Sequence, residues 1–196
     1  MPKLFEILTL TLATIESVAA SLNKMRANND AKGAFLMPFL YSYTPNRTNR
    51  CNVHFNVTDA STVTYEDVVE CRVNWEPCYD VSKGWIDPPT IGAEHAGPCY
   101  RNGVLVDDYR WWFSEWQSYR NFSLHLVAAA THTQGPDAEK GAGTTKQAIL
   151  EHAAETGMLN NETVPQDGYH EWCLMDGMCT MEYWNLTNPM VFGFTE

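Results

Sequence analysis

Six cysteines, spread from Cys51 to Cys179, constrain the fold of this chain more than any other feature of its sequence. An even number of cysteines is typical of a disulfide framework formed in an oxidising compartment. Asp176 and Gly177 predict a hairpin turn between the last two cysteines. A two-residue turn would place Cys173 and Cys179 on opposite sides of the hairpin, whereas a three-residue loop with a left-handed Gly177 would place them directly opposite each other. We favour the three-residue loop and predict a Cys173–Cys179 disulfide.

The other four cysteines lie around a long predicted loop. Cys71 stands at the end of one predicted strand and Cys99 just before the next, so a bond between them would close the loop. Cys51 and Cys78 are then paired by elimination. Zinc is the alternative in a cysteine-rich chain, but the closest cysteines are spaced unlike the CxxC units of zinc modules. The sequence therefore predicts three disulfides, no metal site and no cofactor.

Apolar and polar residues alternate over several short segments from Arg50 onward, as they do in half-buried β-strands. Residues 104–116 are apolar on both sides, which predicts that both faces of that strand are covered. The pattern predicts a mainly β protein, an antiparallel β-barrel or β-sandwich. The apolar positions of the alternating segments are Val53, Phe55, Val57, Val69, Cys71, Val73, Trp75, Phe122, Leu124 and Leu126.

Other segments depart from this alternation. Residues 77–101 contain several glycines and prolines and are predicted to form a long loop. One short helix is predicted from Thr144 to Gly157, because Thr144 and Gln147 have capping-box spacing and Gly157 is a typical helix stop. A hairpin over residues 171–183 and a last strand over 190–194 are predicted to follow.

The N-terminal part of the chain differs from the rest. Residues 1–20 are predicted to be a signal peptide, because Lys3 precedes a mostly apolar stretch and Val18–Ala20 resembles a cleavage site. An amphipathic helix or a misplaced start codon is the alternative. The apolar stretch is too short for a stable membrane anchor.

The domain organisation follows from the same change in composition. Residues 21–50 are polar and rich in asparagine apart from the apolar patch Phe35–Tyr43, and are predicted to form an irregular N-terminal arm. Residues 51–196 are predicted to form a single disulfide-bonded β-domain, a size that buries a substantial core.

Acceptor motifs for N-glycosylation, Asn-X-Ser/Thr, are present in both of these regions. Together with the cysteines, they predict a secreted, extracellular glycoprotein. Two of them fall on the polar faces of predicted strands. The acceptors are Asn46, Asn56, Asn121, Asn161 and Asn185.

Several strand motifs resemble those of a known group of proteins. They are Val53–Asp59, Glu70–Trp75, Tyr109–Phe113 and Tyr119–Leu124, with Gly84-Trp-Ile and Cys99 between the second and third. Over residues 51–127 the chain resembles small secreted fungal proteins of the type grouped with the Alternaria major allergen. The resemblance implies a β-barrel or sandwich, secretion, a role at a host interface without established enzymatic activity, and a possible homodimer.

Aromatic residues are unusually dense between positions 109 and 119. Large aromatic side chains fill the cores of small β proteins, so most of these are predicted to be buried. The exposed fraction would form a platform for a sugar or a protein partner. The candidate ligand-binding residues are Trp85, Trp112, Trp116 and Tyr119.

Charge and motifs narrow the function. The chain has 24 acidic against 13 basic residues and a net charge of −11, which argues against nucleic-acid binding. No recognised catalytic motif is present. The leading hypothesis is a non-enzymatic secreted protein that binds a host protein, a glycan or a small apolar ligand. A hydrolase whose His and carboxylate groups converge from separate strands, and a structural wall or coat protein, are the alternatives.

Overall fold

The protein is described by a computed structural model over residues 33–44, 49–60, 68–130, 150–175 and 178–195. Its architecture is mainly antiparallel β, in a curled sheet that forms a half-barrel, which confirms the predicted fold class. The predicted signal peptide and the acceptor Asn46 lie outside the described residues. No long apolar helix of the kind that spans a bilayer occurs in the described part of the chain.

Twelve strands lie in the described ranges. The strands are β1 Ala34–Thr44, β2 Cys51–Asp59, β3 Val69–Trp75, β4 Tyr79–Asp80, β5 Gly84–Trp85, β6 Gly97–Arg101, β7 Val104–Ser118, β8 Asn121–Ala130, β9 Leu150–Glu155, β10 Tyr169–Cys173, β11 Cys179–Trp184 and β12 Met190–Gly193. A short 3-10 helix, Ala93–His95, precedes β6.

The large sheet has the order β10-β11-β1-β2-β3-β6-β7-β8-β9, and β4 and β5 form a separate two-stranded sheet. One edge of β1 pairs along its length with β2, and its other edge is divided between β12 at residues 34–37 and β11 at residues 39–44. Pro38, at this division, lacks an N–H for a sheet hydrogen bond. The Thr195 amide donates to the carbonyl of Ala153 in β9 at 2.7 Å, which brings the C-terminal strand against the far edge of the curled sheet.

The inner face of the curled sheet carries the core. Every second residue of β2, from Cys51 to Asp59, is buried, which confirms the predicted alternation. Trp111 of β7 is fully buried, and its ring fills the space beside Gly97 of β6. The largest fully buried side chains are Trp111, Tyr183, Phe35, Phe55, Phe113, Phe122, Met37, Leu40 and Leu124.

The three disulfides join the predicted pairs. Cys51 bonds Cys78 and Cys71 bonds Cys99, with Cα atoms 5.5 and 4.1 Å apart. Cys173 lies opposite Cys179 in the β10–β11 register and is bonded to it. This is the register that the three-residue loop requires, although Asp176 and Gly177 lie outside the described residues.

Two predictions about secondary structure are wrong. The patch Phe35–Tyr43 is not part of an irregular arm, because residues 34–44 form β1, which has paired strands on both edges. The short helix is wrong from Leu150 onward: Leu150–Glu155 form β9, which pairs with β8 over six residues. Gly157 has a φ of 65°, but it follows a strand rather than a helix.

Two further predictions hold only in part. β7 is not covered on both faces along its whole length, because Val104 and Leu105 are exposed beside the Asn102–Gly103 turn. The predicted loop 77–101 also contains the short strands β4 and β5 and the 3-10 helix, and its last five residues form β6, which pairs with β3 and β7.

An ion pair fastens the β10–β11 hairpin across the half-barrel. Glu171 of β10 accepts hydrogen bonds from Arg120 at 2.8 Å and from Tyr169 at 2.9 Å. Arg120 lies in the turn between β7 and β8, far from β10 in the sheet order. The hydrogen bond from Arg120, more than any other contact, holds the pKa of Glu171 below its usual value.

Candidate functional site

The outer side of β1 and β11 carries a row of aromatic rings that are not part of the hydrophobic core. Phe39, Tyr41 and Tyr43 alternate along β1 and are half-buried, and Trp184 at the end of β11 is 58% exposed. Side chains two residues apart on a strand share a face. Leu40 lies between them in sequence and is fully buried on the inner side. We call Phe39, Tyr41, Tyr43 and Trp184 the aromatic face.

The rings of the aromatic face contact one another. The ring centroids of Phe39 and Trp184 are 5.7 Å apart with planes at 86°. Those of Phe39 and Tyr41 are 6.4 Å apart at 10°, and those of Tyr41 and Tyr43 are 5.5 Å apart at 50°. The surface therefore presents both edges and faces of rings, and mutual packing restricts their motion.

Polar groups border the aromatic face on both sides. His54 of β2 lies edge-on to Phe39 at 5.0 Å, and Glu182 of β11 is directly opposite Tyr41 in the register. Burial raises the pKa of Tyr41, and the neighbouring Tyr43 and Glu182 add to the rise. Acidic and hydroxyl groups thus lie directly beside exposed aromatic surface.

The pKa of His54 is lowered, chiefly by burial. Glu70, whose carboxylate is 3.5 Å from the imidazole, acts in the opposite direction, and Arg72 of the same strand adds to the lowering. A neutral imidazole is therefore favoured beside the aromatic face around neutral pH.

The four ligand-binding candidates from the sequence do not form one surface. Trp116 and Tyr119 are buried, and Trp116 packs on Phe122 in the core. Trp85 contacts Tyr119 at 5.8 Å between ring centroids. Trp112 lies on the outer side of β7, because the neighbouring Trp111 and Phe113 point inward.

Trp112 belongs to a second outer cluster, on β7, β8 and β9. Its ring stacks on His125 at 4.3 Å, and His125 Nδ1 lies 3.0 Å from Glu155 Oε2. Ser114 donates a short hydrogen bond to the other oxygen of Glu155 and lies 2.8 Å from Ser123. The carboxylate stands between the hydroxyl and the imidazole, so the imidazole is not placed to take the Ser114 proton.

A third His–carboxylate pair is buried near the edge of the half-barrel. His152 Nδ1 lies 2.6 Å from Asp59 Oδ2, and the His152 ring packs on Phe194 at 4.4 Å. His132 lies outside the described residues. Within the described ranges, no three His, Cys, Asp or Glu side chains are grouped so that they could hold a metal ion.

The predicted glycosylation acceptors differ in the hydrogen bonds of their side-chain amides and in their exposure. Asn121 Nδ2 donates to Gln117 and Asn185 Nδ2 donates to Asp167, at 2.6 and 2.9 Å. Asn161 is exposed, and Asn56 is half-buried on the outer side of β2, directly opposite Phe39. A glycan on Asn56 would therefore start beside the aromatic face.

Comparisons of the chain with protein-family models, with curated proteins and with solved structures find no match. The resemblance to the Alternaria allergen group stays a prediction.

Sequence reasoning missed the aromatic face, although a signal for it was present. Phe39, Tyr41 and Tyr43 occupy alternate positions, the period of a strand with one aromatic side. The polar residues around this segment favour an irregular arm instead. Trp184 could not be joined to it without the β1–β11 pairing.

Proposed function

We propose that the chain is a secreted, non-enzymatic binding protein that docks an extracellular protein partner on its aromatic face. The observation that carries this proposal is the row of contacting rings on the outer side of a sheet whose inner side already forms a complete core. Core packing does not explain aromatic side chains that lie outside the core. Binding to another protein does explain them, because Trp and Tyr are enriched in protein–protein interfaces.

The disulfides support an extracellular location. All six cysteines are paired, and structural disulfides are typical of secreted proteins and rare in reducing compartments. Cys51, Cys71, Cys78 and Cys99 are buried, so these two bonds are part of the core. The signal peptide and the glycans belong to the same proposal.

The shape of the aromatic face favours a protein over the other two ligand classes. Small apolar ligands bind in concave pockets, whereas this face is the outer side of a curled sheet. A sugar ring stacks best on a flat aromatic platform, but Trp184 stands almost perpendicular to Phe39. Protein side chains can fit both the edges and the faces of such rings.

A peptide selection tests the proposed function. Displayed random peptides are selected on the secreted protein alone, and the selected peptides are then titrated against the wild type and Trp184→Ser. Because Trp184 is 58% exposed, this variant should keep its thermal stability. We expect peptides that bind Trp184→Ser about thirtyfold or more weakly than the wild type, because truncating an interface hot spot costs about 2 kcal/mol or more.

Tyr79→Ser is the matched control, because Tyr79 is an aromatic residue that is 44% exposed away from the aromatic face. The selected peptides should bind Tyr79→Ser as tightly as they bind the wild type. If no peptide depends on Trp184, the proposed function is wrong, and the structural wall or coat protein becomes the better hypothesis. If glycan arrays instead give ligands that depend on Trp184, the partner is a glycan and not a protein.

A hydrolase is the second candidate, and the His125–Glu155 hydrogen bond is the observation that favours it. A paired imidazole and carboxylate can act in acid–base catalysis when both reach a bound substrate. Screening the protein and Glu155→Gln against ester, peptide and glycoside substrates tests this role. Turnover that disappears in Glu155→Gln would support it.

A further inference from the structure

Glu182 of β11 has no cationic partner among the described residues. Several carboxylates of the sheet lie within ion-pair distance of an arginine. The pairs are Glu70–Arg72 at 3.2 Å, Asp108–Arg101 at 2.9 Å, Glu151–Arg110 at 2.8 Å and Glu171–Arg120 at 2.8 Å. His170 is the β10 residue opposite Glu182, but the two form no ion pair. An acidic group is thus left without a counter-charge on this face.

The position of Glu182 places its carboxylate among the rings of the aromatic face. It is directly opposite Tyr41, and paired side chains in an antiparallel sheet lie close together. Trp184 follows two residues later on the same side of β11. Burial is the main cause of the raised pKa of Tyr41, and the negative charge of Glu182 makes a smaller contribution in the same direction.

Aromatic rings beside an unpaired carboxylate are suited to a cation. An ammonium or guanidinium group over the face of a Trp or Tyr ring is attracted by the ring electrons, and a nearby carboxylate adds a direct ionic contact. The aliphatic stem of Lys or Arg can lie along the rings at the same time. The net charge of −11 on the whole chain would also draw a basic partner toward it.

We propose that the aromatic face binds a basic segment of its protein partner, with a Lys or Arg side chain of that partner lying across Trp184 and Tyr41 and its cation on Glu182. This inference rests on the proposed function and specifies the chemistry of the partner. The occupant is identified by charge complementarity, because the site offers several rings and a carboxylate that forms no ion pair with any described residue.

The experiment uses peptides selected on the secreted full chain as probes. Each peptide is also made with its Lys and Arg residues replaced by Gln, and all are titrated against the wild type, Glu182→Gln and Glu94→Gln. Glu94 is the matched control, because its side chain is 72% exposed and lies in the short 3-10 helix before β6. Both variants remove one charge from an accessible surface, so neither should change the thermal stability.

We expect the selected peptides to be enriched in Lys and Arg and to bind Glu182→Gln about fivefold to tenfold more weakly than the wild type. Glu94→Gln should bind like the wild type. The Gln-substituted peptides should lose most of their affinity for the wild type and should no longer distinguish Glu182→Gln. Raising NaCl from about 50 to about 300 mM should weaken the basic peptides alone.

Two results would overturn the inference. The first leaves the proposed function intact, and the second removes it as well. Peptides that depend on Trp184 but bind Glu182→Gln as well as the wild type show that the face is used without a cation. Peptides that do not depend on Trp184 remove the proposed function together with this inference. The two failures are therefore distinguishable in the same titrations.

The chain's own glycan is another occupant that the test can detect. Asn56 faces Phe39, so a sugar attached there could cover the rings. Basic peptides should bind the glycosylated protein and Asn56→Gln equally well. If they bind Asn56→Gln much more tightly than the glycosylated protein, the glycan covers the aromatic face and the inference is wrong.

Discussion

Removing the Cys71–Cys99 disulfide is expected to destabilise the protein more than removing Cys173–Cys179. The two bonds join residues separated by 28 and 6 positions, respectively. In the loop-closure model, restricting loops of these lengths in the unfolded chain is worth about 3.6 and about 2.2 kcal/mol. Cys71 and Cys99 are also almost completely buried, so replacing both with Ala removes packed sulfur atoms from the core. The expected order therefore follows from both loop length and burial.

Urea and thermal unfolding of Cys71→Ala/Cys99→Ala and Cys173→Ala/Cys179→Ala, each with the other four cysteines oxidised, measure this difference. The midpoint of thermal unfolding should fall by about 7 to 14 °C for the first variant and by about 4 to 9 °C for the second. Equal losses, or a larger loss for the second variant, would contradict the assignment of the stabilisation to loop closure and core burial.

Three other perturbations have expected outcomes. Gly97→Ala should destabilise the protein by about 1 to 3 kcal/mol in urea unfolding, because its Cβ would lie 2.6 and 2.7 Å from the Cζ2 and Nε1 atoms of Trp111; an unchanged midpoint would show that the ring can move. Glu171→Gln should cost about 1 kcal/mol at pH 7, because it weakens the contact with Arg120. Because the pKa of Glu171 is lowered in the folded protein, the substitution should destabilise the protein at pH values above the usual Glu pKa. This destabilisation should disappear as the pH falls through the pKa of Glu171 in the folded protein, and a loss of stability that persists in strong acid would refute the ion-pair explanation. His54→Gln should reduce the loss of thermal stability as the pH falls below about 6.5, because the unfolded chain protonates His54 before the folded chain does; identical pH profiles would contradict the lowered pKa.

The parts of the fold that could be predicted are those with a local signal. The alternation of Val53, Phe55 and Val57 specifies the inner face of β2 without knowledge of its neighbours. The Cys173–Cys179 bond followed from the geometry of one hairpin, which constrains both residues at once. In each case, the decisive contact lies within one strand or one turn.

The errors arose where pairing with a distant strand decides the structure. Ala153 and Ala154 favour a helix by propensity, but β8 offers an open edge, and residues 150–155 complete a six-residue ladder with it. Phe35–Tyr43 has a weak strand signal interrupted by Pro38, and its three partner strands stabilise it as β1. The aromatic face depends on the same long-range pairing, so the candidate site could not be assembled from sequence alone.

Oxidative footprinting of the protein with and without a selected basic peptide tests the central claim most directly. Trp184 is 58% exposed and should be oxidised readily in the free protein. At saturating peptide, we expect its oxidation to fall several-fold, while Tyr79, outside the aromatic face, keeps its rate. Equal oxidation of Trp184 in the free and bound protein would contradict the account, because the peptide would then bind somewhere other than the aromatic face.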